Sequence, residues 1–287
     1  MKNIFSIFDL HKLVISIFSY SLGVNFAKYL GFYINVKTMV LGYLFVIGII
    51  ISSELLYIYF HSYPSNQFIR PENEVIQKII LAVSLSIMAA TPITLIILYK
   101  DGLLNISIAI MLFVFCILAY GNAIPPFHFQ FFGWGEFIRS IYITGLLPAI
   151  GFLFQQKDLN QLIIIISIPL VCLYLSNFIV KNLKHFSRDL TTLNKSFVTI
   201  FTWQISLKIQ NLLLVFSYLF IAFFPIFGIS MKIIWPVFLS IPTAVLQIYL
   251  LLSISDGAKP NWQLLILSSN FTIALALYFM NFSFYIN

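Results

Sequence analysis

The sequence predicts an all-α, polytopic membrane protein: a nine-helix transmembrane bundle forming a single domain over residues 1–287. Three observations predict it. The chain is 61% hydrophobic and 9% charged, with a mean hydropathy of +0.99, whereas a soluble domain carries about 25% charged residues to cover its wet surface. Its apolar residues come in runs of about 17–25, the length that crosses a bilayer core as a helix. Stretches of about ten alternating residues with turn signals, the pattern of a membrane barrel, are missing.

The runs are Val14–Leu30, Thr38–Phe60, Val75–Leu98, Leu103–Tyr120, Phe137–Phe154, Leu159–Val180, Leu207–Phe227, Ile233–Leu252 and Leu264–Phe284. Each must hydrogen-bond its own backbone in lipid, so each is expected to be a helix. Cys116 and Cys172 fall inside runs and read as small hydrophobes, with no disulfide or metal framework. The start, MKNIFSIFDLHKL, lacks a long apolar core before a small-residue cleavage site, so no signal peptide is expected.

The net charge of +7 belongs to membrane-flanking loops rather than to a nucleic-acid partner, and none is expected. With the N-terminus placed inside, Lys2, Lys12, Arg70, Lys78, Arg139, Lys181, Lys184, Arg188, Lys195, Lys208 and Lys259 lie on the inner side. Lys28, Lys37, Lys100, Lys157 and Lys232 lie outside. The positive-inside rule selects this orientation, with the N-terminus and the longer loops cytoplasmic; a bacterial plasma membrane is expected. The inner connections are the long ones: 61–74, 121–135, 181–206 and 253–262. Polar residues gather there, and function tends to sit on such loops over a rigid scaffold. The two longest follow runs two and six, hinting at a duplicated four-helix unit.

The connection IPPFHFQFFGWGEFI (124–138) is the most distinctive. Pro125-Pro126 ends any extension of the fourth helix. Gly133 and Gly135 allow tight backbone geometry. Glu136 then falls in the first turn of the fifth helix, where a carboxylate suits the dipole. As a plain helix cap it needs no further role; its place at a membrane boundary marks it as a candidate for one.

AYGNAIPPFHFQFFGWGEF resembles a segment of the UbiA-type polyprenyltransferases, especially the dihydroxynaphthoate branch and its relatives. Tyr120, Pro125, Pro126, Gly133, Gly135 and Glu136 stand at the family's tyrosine, proline-pair and G-x-G-E positions. The likeness continues through TGLLPAIGFLFQ, GYLFVIGIIISSELLYIYF, KSFVTIFTWQ, SIPTAVLQ and DGAKPNW, covering nearly the whole chain. The resemblance implies nine helices. It also implies transfer of an allylic prenyl chain from a diphosphate to an acceptor, often aromatic, with the diphosphate held by Mg2+ on two aspartate-rich motifs. Hard cations and oxygen ligands suit a diphosphate leaving group.

This chain departs from the pattern at the metal. In YIYFHSYPS, Tyr57 replaces the first motif's asparagine, and Ile58, His61 and Ser65 replace its aspartates. HFSRD keeps Asp189 but has His185 at the other position. Leu193 and Lys195-Ser196 fall near a basic G-K-x-T step, and His128 and Phe132 where basic residues are expected. Neutral imidazole is a poor ligand for Mg2+, so a two-metal site of the usual form is not expected, and Asp189 is the one implied ligand left.

Glu54 lies two helical turns before His61, on the same face. An ionisable residue inside a span is a functional candidate by default; the plain alternative is pairing with a lysine. The expected catalytic set is Asp189, Glu54, His61 and His185. The expected substrate-binding set is Tyr57, His128, Gln130, Glu136, Lys184, Arg188 and Lys195. The basic loop of Lys181, Lys184, Arg188 and Lys195 suits either a diphosphate or anionic lipid. The 31 phenylalanines suit a prenyl tunnel or ordinary packing.

The expected partners are a prenyl diphosphate, a small acceptor and the bilayer. A non-catalytic isoprenoid-binding relative is the competing reading. A transporter is a third, disfavoured because Glu54 is the lone midspan charge.

Overall fold

A computed structural model describes residues 10–60, 74–125, 127, 129, 133–156, 158–191 and 195–287, and among these every regular element is helical. The long helices are α1 (Leu10–Tyr29), α2 (Val36–Phe60), α3 (Glu74–Lys100), α4 (Ile106–Gly121), α5 (Gly135–Leu153) and α6 (Gln161–Leu183). Two short turns follow, α7 (Phe186–Thr191) and α8 (Phe197–Phe201). The chain ends with α9 (Trp203–Ala222), α10 (Met231–Ser255) and α11 (Trp262–Ile286).

Each of the nine apolar runs overlaps a long helix, but not all nine of these helices meet the length and hydropathy expected of a span. Among the described residues, seven helices are long and apolar enough to cross a membrane: α2, α3, α5, α6, α9, α10 and α11. α4 has 16 residues, about 24 Å at 1.5 Å per residue, short of a core about 30 Å thick. α1 begins at Leu10, four residues before its apolar run, because its first turn is built from His11 and Lys12. Those polar residues, with Asn25 and Lys28, lower its hydropathy.

Local chemistry explains the boundaries. The Asn105 and Asn160 side chains accept backbone N–H groups at the starts of α4 and α6, satisfying donors that a helix leaves open. α4 stops at Gly121, ahead of Pro125. Within α5, residues Ile141–Leu146 form a π-helical turn, a local widening common near functional sites.

The core is built around α1, α5, α6 and α11, with Tyr20, Phe26, Tyr142, Phe152 and Tyr174 fully buried. α1 and α5 cross at close range. A Cβ on Gly23 would sit 1.9 Å from the Pro148 carbonyl oxygen, and one on Gly151 would sit 2.3 Å from that of Tyr20. Small residues that let backbones touch are the usual device where lipid supplies no hydrophobic drive. α3 packs on α2 at the periphery with most of its apolar surface exposed.

Candidate functional site

Ionisable side chains converge where the start of α1, the end of α2, the start of α5 and the end of α6 meet. Glu54 of α2 is 8% exposed and Lys12 of α1 is 3% exposed, and the two form a buried ion pair. The Lys12 ammonium also lies 5.9 Å from the centre of the Tyr142 ring. The lysine pairing that the sequence left open is therefore real, and it neutralises the carboxylate where an unpaired charge would be most costly.

One turn into α5, the Arg139 guanidinium lies 5.5 Å from the Tyr57 ring centre and 5.4 Å from that of Phe178. Its Nε is buried with no hydrogen-bond partner. Lys181, one turn beyond Phe178 on α6, places its ammonium 5.7 Å from the same ring. Cations over aromatic faces gain about 0.5–2 kcal/mol each, more as water is removed.

Glu136 is 7% exposed. Its Oε1 accepts a hydrogen bond from Asn182 Nδ2 at 2.6 Å, tying the start of α5 to the end of α6, while Oε2 is buried without a partner. Glu136 is therefore more than a helix cap. The turn leading to it depends on Gly133, at φ +74°. A Cβ there would lie 2.0 Å from the Ile200 side chain, so the loop rests directly on α8.

The remaining expected residues fall in two groups. His61, His128 and Gln130, with Pro126 and Phe132, lie outside the described residues. Lys184, His185 and Lys195 are exposed at the α6–α8 connection, with Arg188 and Asp189 partly exposed on α7. Burial, then the neighbouring Arg188 and Lys184 charges, hold the His185 imidazole below its ordinary pKa, so it is neutral at pH 7. Lys184, Arg188 and Lys195 of the basic loop thus stand at or near the surface, whereas Lys181 lies over the Phe178 ring.

Lys12, Arg139, Phe178 and Asn182 were missed from sequence. Lys12 and Arg139 read as orientation charges next to apolar runs. The available signal was that Arg139 follows Glu136 by three residues, hence on the same face.

Among the described residues no three His, Cys, Asp or Glu side chains gather in a way that could hold a metal ion. A cavity of about 540 Å³ opens at the opposite end of the bundle, lined by Phe32, Phe152, Gln156, Asp158, Asn160 and Phe227 among others. None of the expected residues lines it.

No family model and no curated protein matches the chain. Its fold matches solved structures throughout. An apo UbiA homolog from Aeropyrum pernix K1 superposes with TM-score 0.64 at 12% identity, over 94% of this chain and 97% of that one. A digeranylgeranylglyceryl phosphate synthase gives 0.65 at 15%, over 96% and 94%. A UbiA homolog from Archaeoglobus fulgidus bound to GPP and Mg2+ gives 0.62 at 18%, over 96% and 97%. At such identities the likeness establishes the fold, that of a polytopic helical membrane protein of the UbiA type.

Proposed function

We propose that this chain is an intramembrane prenyltransferase. It moves a prenyl group from a prenyl diphosphate to a small, aromatic acceptor, in quinone or related isoprenoid lipid biosynthesis, as in the dihydroxynaphthoate branch. The observation that carries the reading is the convergence of partly buried Arg139 and Tyr57 with buried Phe178 and Glu136 in a fold shared with a homolog described with GPP and Mg2+ bound. The reading treats residues 1–287 as one domain in a bacterial plasma membrane, with the charged end cytoplasmic.

In the transfer, the allylic C–O bond breaks and its electron pair leaves with the diphosphate. The allylic carbon bonds to the acceptor, and the acceptor's proton passes to a base. Preorganised positive charge at the leaving group is the largest lever on such a step, and Arg139 supplies it inside the bundle. The unpartnered Glu136 Oε2 offers a base on the same helix face. Aromatic side chains lining the prenyl chain stabilise the developing cation through their ring faces.

The donor set does not fit the two-Mg2+ arrangement: Glu54 is tied to Lys12, and among the described residues no three His, Cys, Asp or Glu side chains gather around a common point. No step is therefore routed through a metal. Asp189, with Glu54, His61 and His185 assisting, is kept only as the candidate for a single cation.

A second reading, a non-catalytic isoprenoid-binding protein, is favoured by the same missing carboxylates. Diphosphate release by the full chain in nanodiscs separates the two. The test offers geranyl to long-chain prenyl diphosphates with a naphthoate or benzoate acceptor. The transferase reading predicts acceptor-dependent release that falls about 10²–10³-fold in Arg139→Met, the size of effect expected when an electrostatic donor is removed. Saturable donor binding with no release would establish the second reading.

A further inference from the structure

The cavity at the opposite end of the bundle shares no residue with the charged group. We propose that it binds an organic ammonium group, carried by a membrane lipid headgroup or by a free amine. The proposal stands apart from the transferase reading and does not depend on it.

The walls are set by how three helices end. α1 closes at Gly31, φ +83°, where the Gly31 and Phe32 N–H groups donate to the Lys28 and Ala27 carbonyls at 2.9 and 3.1 Å. The turn after α9 closes in the same way at Gly228, φ +90°, with Gly228 and Ile229 donating to Pro225 and Phe224 at 3.1 and 3.3 Å. Paired bonds around a left-handed glycine fix the direction in which the chain leaves a helix. Phe32 and Phe227 sit at these two turns, and both line the cavity. After α5, Gln155 and Gln156 both donate to the Phe152 carbonyl at 2.9 Å. The Gln155 side chain accepts from Asn35 N at 2.8 Å, tying that corner to the start of α2. Asn160 is held by its bond to Leu162 N at 2.9 Å. The frame is therefore fixed by the chain's own hydrogen bonds.

A volume of about 540 Å³ falls within the range of small-molecule sites, about 300–1,000 Å³. Phe152 is fully buried, and its ring lies 6.4 Å from that of Phe32 at 80°. Phe227 stacks on Phe220 at 6.3 Å and is 39% exposed. The polar lining residues are Gln156, Asp158, Asn160 and Gln161. Among the described lining residues the one formal charge is negative, and no lysine, arginine or histidine accompanies it. An anion would meet the Asp158 carboxylate there without a described cation to offset it. A cation would meet a carboxylate, amide oxygens and aromatic rings, the combination that recognises ammonium groups. α5, α6 and α9 are spans, so their ends stand at the level of lipid headgroups. Leu162 and Ile165 carry the lining on along α6, which gives an amphiphile's apolar part a wall.

The test is binding of tritiated lysophosphatidylethanolamine to the full chain in maltoside micelles. The competitor is lysophosphatidylglycerol of the same chain length, which has no ammonium. Expected is saturable binding that lysophosphatidylglycerol displaces about tenfold more weakly, the combined scale of an exposed ion pair and a cation–ring contact. Asp158→Asn should weaken binding by about two- to fivefold, and Phe227→Leu by about two- to fivefold. Asp158→Glu keeps the charge and should bind within about twofold of wild type.

Equal competition by lysophosphatidylglycerol, or a monodisperse Asp158→Asn that binds as wild type does, overturns the proposal. Lys157, beside Asp158 in sequence, lies outside the described residues. Lys157→Gln should bind as tightly as wild type or more so; a loss of binding there would put the lipid phosphate on that lysine and overturn the proposal. Radiolabelled tetramethylammonium separates the sources. Its Asp158-dependent binding assigns the site to free amines, and lipid binding without it assigns the site to the headgroup. Saturable binding of neither probe overturns the proposal.

Discussion

Two buried polar regions of this bundle are treated in opposite ways. At the junction of α1, α2, α5 and α6 the ionisable groups each have a described contact: Lys12 pairs with Glu54, Arg139 lies over Tyr57 and Phe178, and Glu136 accepts from Asn182. Between α9 and α10 the buried polar groups are neutral. Gln210 and Gln247 are both 0% exposed, and neither side-chain nitrogen nor oxygen has a partner. The Tyr218–Ser240 hydrogen bond at 2.8 Å sets the register of the two antiparallel helices. Eight residues back along α9 and seven forward along α10 bring the two glutamines to one level. An unpaired amide in such a place costs about 1–3 kcal/mol, which a large bundle absorbs; an unpaired charge costs far more. The difference teaches where this fold is committed. Charge kept inside a span at such a penalty marks function, whereas the neutral pair behaves as tolerated packing.

The sharpest way to break this contrast is to separate the ion pair. Glu54→Gln or Lys12→Met leaves one buried charge alone and should destabilise by about 3–5 kcal/mol. The double variant Lys12→Met/Glu54→Leu should recover most of that loss. Thermal melting in detergent reads both. Single variants that melt like wild type would mean that water reaches the pair.

A smaller effect is expected from Asn177→Leu, which removes hydrogen bonds to Ser269 Oγ at 2.9 Å and Asn270 Oδ1 at 2.8 Å. Interhelical bonds of this kind in membranes are worth about 0.6–1.7 kcal/mol, so melting should drop only modestly. Gln247→Leu should do the reverse and be neutral or stabilising by about 1 kcal/mol, because replacing an unsatisfied amide by an apolar group of similar shape removes a penalty. A loss of more than about 2 kcal/mol there would show that the glutamine is satisfied after all.

The smallest effect concerns pH. The folded His185 has a depressed pKa, so the unfolded chain takes up the proton first. Stability should be full above about 6.5, the ordinary histidine value, and should decline as pH falls from there through the folded value. His185→Gln should flatten that decline in melts taken from pH 8 to pH 5, and an unchanged slope would assign it to other groups.

The helices were legible because lipid makes the signal simple: a long apolar run has one solution. α2, α3 and α6 coincide with their runs to within a few residues. The start of α1 was misplaced because a paired lysine reads, in isolation, as a loop residue; its partner Glu54 lies 42 positions away. Tyr57 and Glu136 were found as candidates because they sit at motif positions. Arg139, Phe178 and Asn182 were not, since their importance comes from three helices meeting, and periodicity within one helix carries no record of its neighbours. Among the described residues seven helices qualify as spans by length and apolarity, for a related reason: core helices such as α1, shielded by protein, need not be as apolar as lipid-facing α3.

The most direct test of the account is photolabelling of the full chain in nanodiscs, using a prenyl diphosphate with a diazirine on the carbon nearest the phosphates. Mass spectrometry of the fragments then locates the label. The account predicts labelled peptides containing Tyr57, Arg139 and Phe178, suppressed by excess inorganic diphosphate. Label concentrated around Gln210 and Gln247, or label that ignores inorganic diphosphate, would contradict it.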